Sequence, residues 1–365
     1  MEERSLAEFV EQVCGEGRLR VEDDFGGGFV RLRSSEAERR QAKHDIRCSE
    51  DVVIELLRNA RDAHARSIFL ACSREGNARR FCIIDDGEGI PEHMHRLVFE
   101  PRVTSKLDTV HTDRWGVHGR GMALFSIASN AKSACVVASE AGKGCSIAVE
   151  TDLAALPEKT DQSTAPTFSY DAEGKREARG PRNIMRMVYE FADEHKSELS
   201  VYFGSPTEIA ATLYAYGVAT VPRSVRAFCE NEHELTVPKR LALASDPADF
   251  AERARALGLD MSDRSARRIL DGAIRPLDSV AEIIEAQSGS AVDAQPAARP
   301  RSRSSLLRDA RGLKIAQSDL NEFSENLADA WRDLAERYYL DAGVSPVIRV
   351  SHDGVHVFFP AEKQR

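Results

Sequence analysis

Glu55, Asn59 and Asp62 recur at helical spacing within residues 54–63, and the run Asp85-Asp86-Gly87-Glu88-Gly89 follows some twenty positions on. At about 100° per residue the first three fall within roughly 60° of one another on a helix. Val53, Leu56, Leu57 and Ala60 occupy its other side. The spacing therefore predicts a helix that packs on a sheet and turns a polar stripe toward something bound. A carboxamide oxygen is a hard ligand for magnesium, and a carboxylate can polarise a water for attack on a terminal phosphate, so the stripe suits a magnesium-nucleotide site. An ordinary amphipathic helix with a solvated face is the alternative, and the segments that follow weigh against it.

Residues 67–72 and 80–85 read as two strands joined by a turn at Gly76-Asn77, the second apolar through Phe81, Cys82, Ile83 and Ile84. Asp85 then ends a buried strand, where a carboxylate needs hydrogen-bond donors, and an adenine amino group would be one. Gly87 and Gly89 let backbone approach a flat ring with no side chain between. Further on, Gly116-Val117-His118-Gly119-Arg120-Gly121 runs into the apolar stretch 122–128. Free N–H groups at a helix start, with the positive end of the dipole, make an anion seat. The loop is not a P-loop, because no Gly-Lys-Ser/Thr follows, and no strand leads straight into it as in a dinucleotide fingerprint.

In this order and spacing, the three motifs over residues 45–150 resemble the GHKL superfamily, whose ATP-binding domain is the Bergerat fold. Glu-x-x-x-Asn-x-x-Asp-Ala, here Glu55, Asn59, Asp62 and Ala63, is similar to the hydrolytic branch of mismatch-repair ATPases, topoisomerases and chaperones more than to the kinases. By that resemblance ATP and Mg2+ are the ligands, Glu55 is the general base, Asn59 holds the metal, Asp62 joins the nucleotide site, and Asp85 reads adenine. Gly87 and Gly89 line the base pocket, and Gly119 and Gly121 wrap the phosphates. Residues 91–118 are too polar and irregular for a core element, and in the family this stretch is the ATP lid. Phe99-Glu100-Pro101 followed by Thr104-Ser105-Lys106 resembles both sensor-kinase and mismatch-repair lids. Lys106 and Arg120 are candidates to meet phosphate charge.

The chain has 365 residues, 42% of them hydrophobic, enough for one large core or two smaller ones. The absence of any run of eighteen apolar residues and of a basic-then-apolar start gives the expectation of a cytoplasmic protein with no membrane partner. Seven cysteines without a Cys-x-x-Cys pair read as reduced thiols. A net charge of −9 gives no global pull toward nucleic acid. The cluster Arg299, Arg301, Arg303, Arg308, Arg311 and Lys314 is either a solvated tail or a patch for DNA phosphates.

The expected fold class is α+β. A Bergerat-fold α/β sandwich, with a mixed, largely antiparallel sheet and helices on one face, fills residues 1–150 together with an N-terminal strand and helix extension. Residues 151–220 extend it or begin a second domain, with 155–180 as loop, a helix opened by Pro181, a strand at 199–203 and a helix from Pro206 closed by Gly217. Residues 221–286 are helical, and 250–257 with 262–270 resemble either a helix-turn-helix carrying Arg264, Arg267 and Arg268 or an ordinary helical hairpin. A flexible linker covers 287–305, and 306–365 hold a helix and a β-hairpin turning at Asp353-Gly354.

Three functional classes follow. One is an ATP hydrolase that works as a conformational switch, dimerising on ATP binding and acting on a client or on DNA. Another is a sensor-kinase-like phosphotransferase, and the last is an ATP-binding regulator that does not hydrolyse. His44, the only histidine just before the first motif, lacks the helical hairpin expected of a phospho-acceptor. Lys239 is the candidate for a distal lysine reaching the γ-phosphate.

Overall fold

A computed structural model describes residues 21–105, 111–113, 116–118, 121–170, 176–229 and 231–292, together with short pieces of the C-terminal region at 323–324, 327–328, 331–332, 335, 341, 346–351 and 354–358. Residues 1–293 form one compact unit and residues 294–365 another.

The first unit begins with strands β1 (Val21–Gly26) and β2 (Phe29–Leu32) and helix α1 (Glu36–Asp45). Ser35 and Glu38 cap α1 reciprocally, each side chain accepting from the other's backbone N–H, which satisfies donors the first turn cannot pair internally. Helix α2 (Ser49–Asp62) carries the first motif. It packs through Val53, Leu56, Leu57 and Ala60, all of them buried, as the spacing requires.

Strands β3 (Ser67–Glu75) and β4 (Ala78–Asp85) follow as a hairpin with Gly76 at φ 57°. The small strands β5 (Val103–Thr104), β6 (His111–Asp113) and β7 (Gly116–His118) come next, with β5 paired to β2. Helix α3 (Ala123–Asn130) and strands β8 (Ser133–Ser139) and β9 (Cys145–Asp152) complete the stretch. Beyond it lie β10 (Thr167–Tyr170), β11 (Arg176–Arg179), α4 (Ile184–Glu194), β12 (Ser200–Gly204), α5 (Pro206–Thr220), α6 (Arg223–Phe228), α7 (Pro247–Ala256), α8 (Asp263–Leu270) and α9 (Val280–Val292).

The central sheet has five strands in the order β12-β3-β4-β9-β8. Its β3-β4-β9-β8 part is antiparallel, and β12 joins in parallel, Val201 beside Ile68. Side chains alternate between faces along a strand. Ile68, Leu70, Phe81 and Ile83 therefore meet α2, α4 and α9 on one face. Phe69, Ala71, Cys82 and Ile84 point the other way and meet α5, α7, α8 and a tight helical turn at Val237–Leu243.

The α+β class and the mixed, largely antiparallel sheet hold. Residues 205–270 cover the face that α2 leaves bare, and α7 docks there by its end: the carbonyl of Leu257 accepts from Ser146 Oγ at 2.8 Å and from Cys82 Sγ at 3.2 Å. The hairpin α7–α8 is thus a sheet cover, buried through Phe250, Ala254, Ala266 and Ile269, with Arg264, Arg267 and Arg268 exposed.

Four local expectations change. Gly217 does not close its helix, which runs on to Thr220; a Cβ there would lie 2.7 Å from that of Ala242, so the glycine serves close packing. Residues 155–180 contain the β10–β11 hairpin, anchored by buried Phe168. Residues 91–103 contribute a small core, Met94, Val98 and Val103 against Phe29. Helix α9 continues to Val292, so the start of the stretch read as linker is helical. In the second unit β13 (Val347–Ser351) and β14 (Gly354–Phe358) pair antiparallel, and the described residues among 323–335 are helical. No described helix is long and apolar enough to cross a membrane.

Phe250 is fully buried on the face covered by the downstream helices. Phe250→Ala should cost about 3–5 kcal/mol. Because residues 1–293 form one unit, urea unfolding followed by far-UV circular dichroism should remain a single transition with an earlier midpoint. A separate early transition with the rest unmoved would show that the cover folds independently of the sheet.

Candidate functional site

A cavity opens between α2, the ends of β4 and β9, and the start of α3. Its wall includes Glu55, Asn59, Asp62, Asp85, Gly89, Thr104, Ser105 and Gly121, with Phe29, Leu56, Ile90, Val98, Leu124 and Ile147 as its apolar part. Of the residues singled out from sequence, Glu55, Asn59, Asp62, Asp85, Gly89 and Gly121 are brought together here. Gly87 does not line the cavity. Lys106, Gly119 and Arg120 fall outside the described residues.

Asp85 is buried at the end of β4, and its Oδ1 accepts from the Gly87 N–H at 2.9 Å. A Cβ on Gly87 would sit 2.5 Å from the Ala63 carbonyl oxygen, so this glycine fits the loop against the end of α2. Gly89 has φ 69°, and a Cβ there would lie 2.0 Å from the Glu140 carbonyl oxygen. Both strain and overlap therefore demand glycine. The loop is stitched on two sides: the Glu88 N–H donates to Ala63 at 2.9 Å, and the Glu88 carbonyl accepts from the Gly142 N–H at 2.6 Å. Asp86 turns away from the cavity and accepts from the Arg66 and Ser67 N–H groups at 2.7 and 2.8 Å.

On α2, Asn59 ends in a buried Nδ2 with no hydrogen-bond partner. Rotating the carboxamide half a turn presents its oxygen at the same place, so the group has unspent capacity for a ligand. Glu55 Oε1 accepts from Arg58 Nη1 at 2.6 Å, and Arg58 is only 3% exposed while it lines the cavity. The Asp62 Oδ1 accepts from Arg61 Nε and Nη2 at 2.9 and 2.8 Å. Among the described residues no three His, Cys, Asp or Glu side chains converge to hold a metal ion.

Two members of the wall were not singled out from sequence. Arg58 sits three residues beyond Glu55 on the same helix, a spacing that could have drawn it into the stripe. Cys145 pairs across the ladder with Asp85. Burial and the neighbouring Asp85 charge push its thiol well above the ordinary cysteine range, so it stays neutral.

The glycine-supported turn at 140–144 leads out of the site. Glu140 accepts from Lys143 Nζ at 3.0 Å, His233 Nδ1 at 2.6 Å and Arg240 Nη2 at 2.5 Å. Burial by itself would raise this carboxyl, but the bonds from His233, Lys143 and Arg240 hold it down to about 2. The turn that touches the nucleotide-motif loop is thereby tied to residues 233–240.

Residues 46–178 match the family described as histidine kinase-, DNA gyrase B-, and HSP90-like ATPase. The DNA mismatch repair protein MutL of Staphylococcus carnosus (strain TM300) is 35% identical over 137 residues, which are 36% of this chain and 21% of that protein. MutL of Thermus aquaticus is 34% identical over 145 residues, 38% of this chain and 27% of its own. This chain therefore spans only about a quarter of the length of the relatives it matches. Among solved structures, the N-terminal domain of a DNA repair protein aligns with 42% of this chain and 58% of its own at 16% identity, with a TM-score of 0.24, too low for the superposition to add to the sequence match.

Because the Glu140 carboxyl is held below its unfolded value, its contribution to stability is complete above about pH 4.3 and is lost as pH falls toward 2. Urea midpoints of the parent and Glu140→Gln should differ at pH 7 and pH 5 by similar amounts, by about half as much at pH 3, and nearly converge by about pH 2. A difference that persists undiminished at pH 3 would show that the clamp does not depend on the carboxylate charge.

Proposed function

We propose, for a chain whose residues 46–178 belong to the GHKL superfamily of ATPases, that it binds ATP with magnesium, hydrolyses it, and works as a nucleotide-driven conformational switch. The observation that carries the reading is the convergence on one cavity wall of Glu55, Asn59 and Asp85, three groups separated in sequence and suited to three different parts of one ligand.

Asp85 supports the base end, since an adenine amino group can donate to a buried strand-end carboxylate. Asn59 would hold magnesium through its carboxamide oxygen, a single protein ligand suiting an ion that seldom takes an all-protein cage. When bound, the magnesium neutralises phosphate charge. Glu55 accepts the proton of the attacking water. Gly121, at φ 66° just before α3, lends backbone N–H groups to phosphate, and Lys106, Gly119 and Arg120 belong to that end by their place in the motifs.

Closure on ATP brings two copies of the chain together in this reading, and the Glu140 clamp carries the state of the loop to residues 233–240. The client is a protein or DNA; the mismatch-repair relatives favour DNA, and the exposed Arg264, Arg267 and Arg268 are compatible with it.

Incubation with γ-labelled ATP and magnesium should release inorganic phosphate without labelling the protein. Asp85→Asn should weaken ATP binding in calorimetry by about 1–3 kcal/mol, because an amide donor then faces the adenine amino group. Glu55→Ala should keep nucleotide yet lose about 10²–10⁴-fold in phosphate release, and Asn59→Ala should lose the magnesium dependence of binding. Label on the protein would favour a phosphotransferase. Undiminished release by Glu55→Ala would remove Glu55 as the general base, and a parent that binds ATP but neither releases phosphate nor takes up label would be an ATP-binding regulator.

A further inference from the structure

We propose that Arg58 is the positioning residue for Glu55: its guanidinium holds the carboxylate in the single orientation from which it takes the proton of the attacking water. The inference rests on the hydrolytic reading above.

Arg58 lies three residues beyond Glu55 on α2, and its Nη1 donates to Glu55 Oε1 at 2.6 Å. A pair at that spacing on a solvated helix holds neither side chain firmly. This one is different. Arg58 is 3% exposed and Glu55 20%, so the pair sits in the protein interior at the edge of the cavity, with little water to compete for the bond. A buried guanidinium is retained only with partners, because its charge is expensive to desolvate. Asp62, Asp85 and Glu88 line the same wall, and Arg58 is the one arginine among the described residues of that wall. The neighbouring Arg61 is engaged elsewhere, with Asp62 and His195.

Positioning matters for a flexible base. A glutamate carboxylate reaches a proton only within about 2.6–3.2 Å, and a side chain with three rotors spends most of its time elsewhere unless it is held. With one oxygen fixed by Arg58, the carboxylate needs no reorientation when the reaction occurs. The water gives its proton to Glu55 as its oxygen bonds to the γ-phosphorus. The bond from that phosphorus to the bridging oxygen breaks, and ADP leaves with the electron pair.

The test joins steady-state kinetics to NMR on the full chain with ATP and magnesium. Arg58→Met should lower kcat at least about tenfold with KM for ATP within about twofold, and Arg58→Lys, which keeps a cation on a shorter stem, should recover part of the loss. In the Glu55→Gln background, Arg58→Met should change the residual rate less than about twofold, since a residue that acts through Glu55 has nothing left to act on. With 15N-labelled arginine, the Arg58 guanidinium should give a slowly exchanging signal that moves in Glu55→Gln. Arg58→Met turning over at or above the parent rate, a further large loss in the Glu55→Gln background, or a guanidinium signal indifferent to Glu55→Gln would each overturn the proposal. A parent that releases no phosphate while the guanidinium signal does respond to Glu55→Gln would instead end the hydrolytic reading, and with it this role.

Discussion

Strand β4 is buried on both faces and ends in a carboxylate, and the site is organised around that fact. Asp85 cannot be left without donors in such a place. The chain answers with a turn whose Gly87 N–H reaches back to it, and that turn has to lie flat against the Ala63 carbonyl on one side and the Glu140 carbonyl on the other. Space for a side chain is absent at both glycines. The same constraint brings the end of α2, the end of β4 and the β8–β9 turn to one point, and the cavity is the room left between them. Side chains on three elements distant in sequence thus share one wall because one buried acid had to be accommodated.

The two faces of the sheet divide the work. On one, α2 packs its apolar stripe downward and keeps Glu55, Asn59 and Asp62 toward the cavity. On the other, α5, α7 and α8 cover Phe69, Ala71, Cys82 and Ile84. The link between the site and this second layer is short. Gly89 presses on Glu140, and Glu140 is held by His233 and Arg240 from the second layer. The loop that follows Asp85 is joined to the same turn by the hydrogen bond from the Gly142 N–H to the Glu88 carbonyl.

Much of the first layer was legible in the sequence because its signals are periodic. The polar stripe at 55, 59 and 62, the apolar strand ending at Asp85 and the turn at Gly76-Asn77 each follow from one short-range rule, and each stands where the spacing puts it. What could not be read depends on contacts between distant residues. Gly217 has the composition of a helix stop and the role of a packing notch against Ala242. Phe168 is one of few large apolar residues in a polar stretch, and its burial anchors the hairpin there. The segment 91–103 has a polar, irregular composition, and the partner of its buried Met94, Val98 and Val103 is Phe29, far upstream. Arg58 escaped notice for a related reason: an arginine on a polar helix face reads as solvated, and only the tertiary fold withdraws it from water.

Strand β12 gives the fold a boundary that differs from the boundary of the family match. The matched stretch closes at residue 178, yet the partner of β3 in the sheet is β12, at Ser200–Gly204. Until that later segment has been made and docked, β3 offers a row of unpaired N–H and C=O groups along its outer edge. Such an edge is a template for pairing with another chain. During synthesis the central hairpin must therefore wait for well over a hundred further residues before its edge is closed, a long-range parallel pairing of the kind that folds slowly. A fragment cut at the end of the recognisable domain would keep the motif residues and carry that open edge permanently. The shortest piece of this chain suited to life on its own is set by hydrogen bonding in the sheet and not by where the resemblance stops.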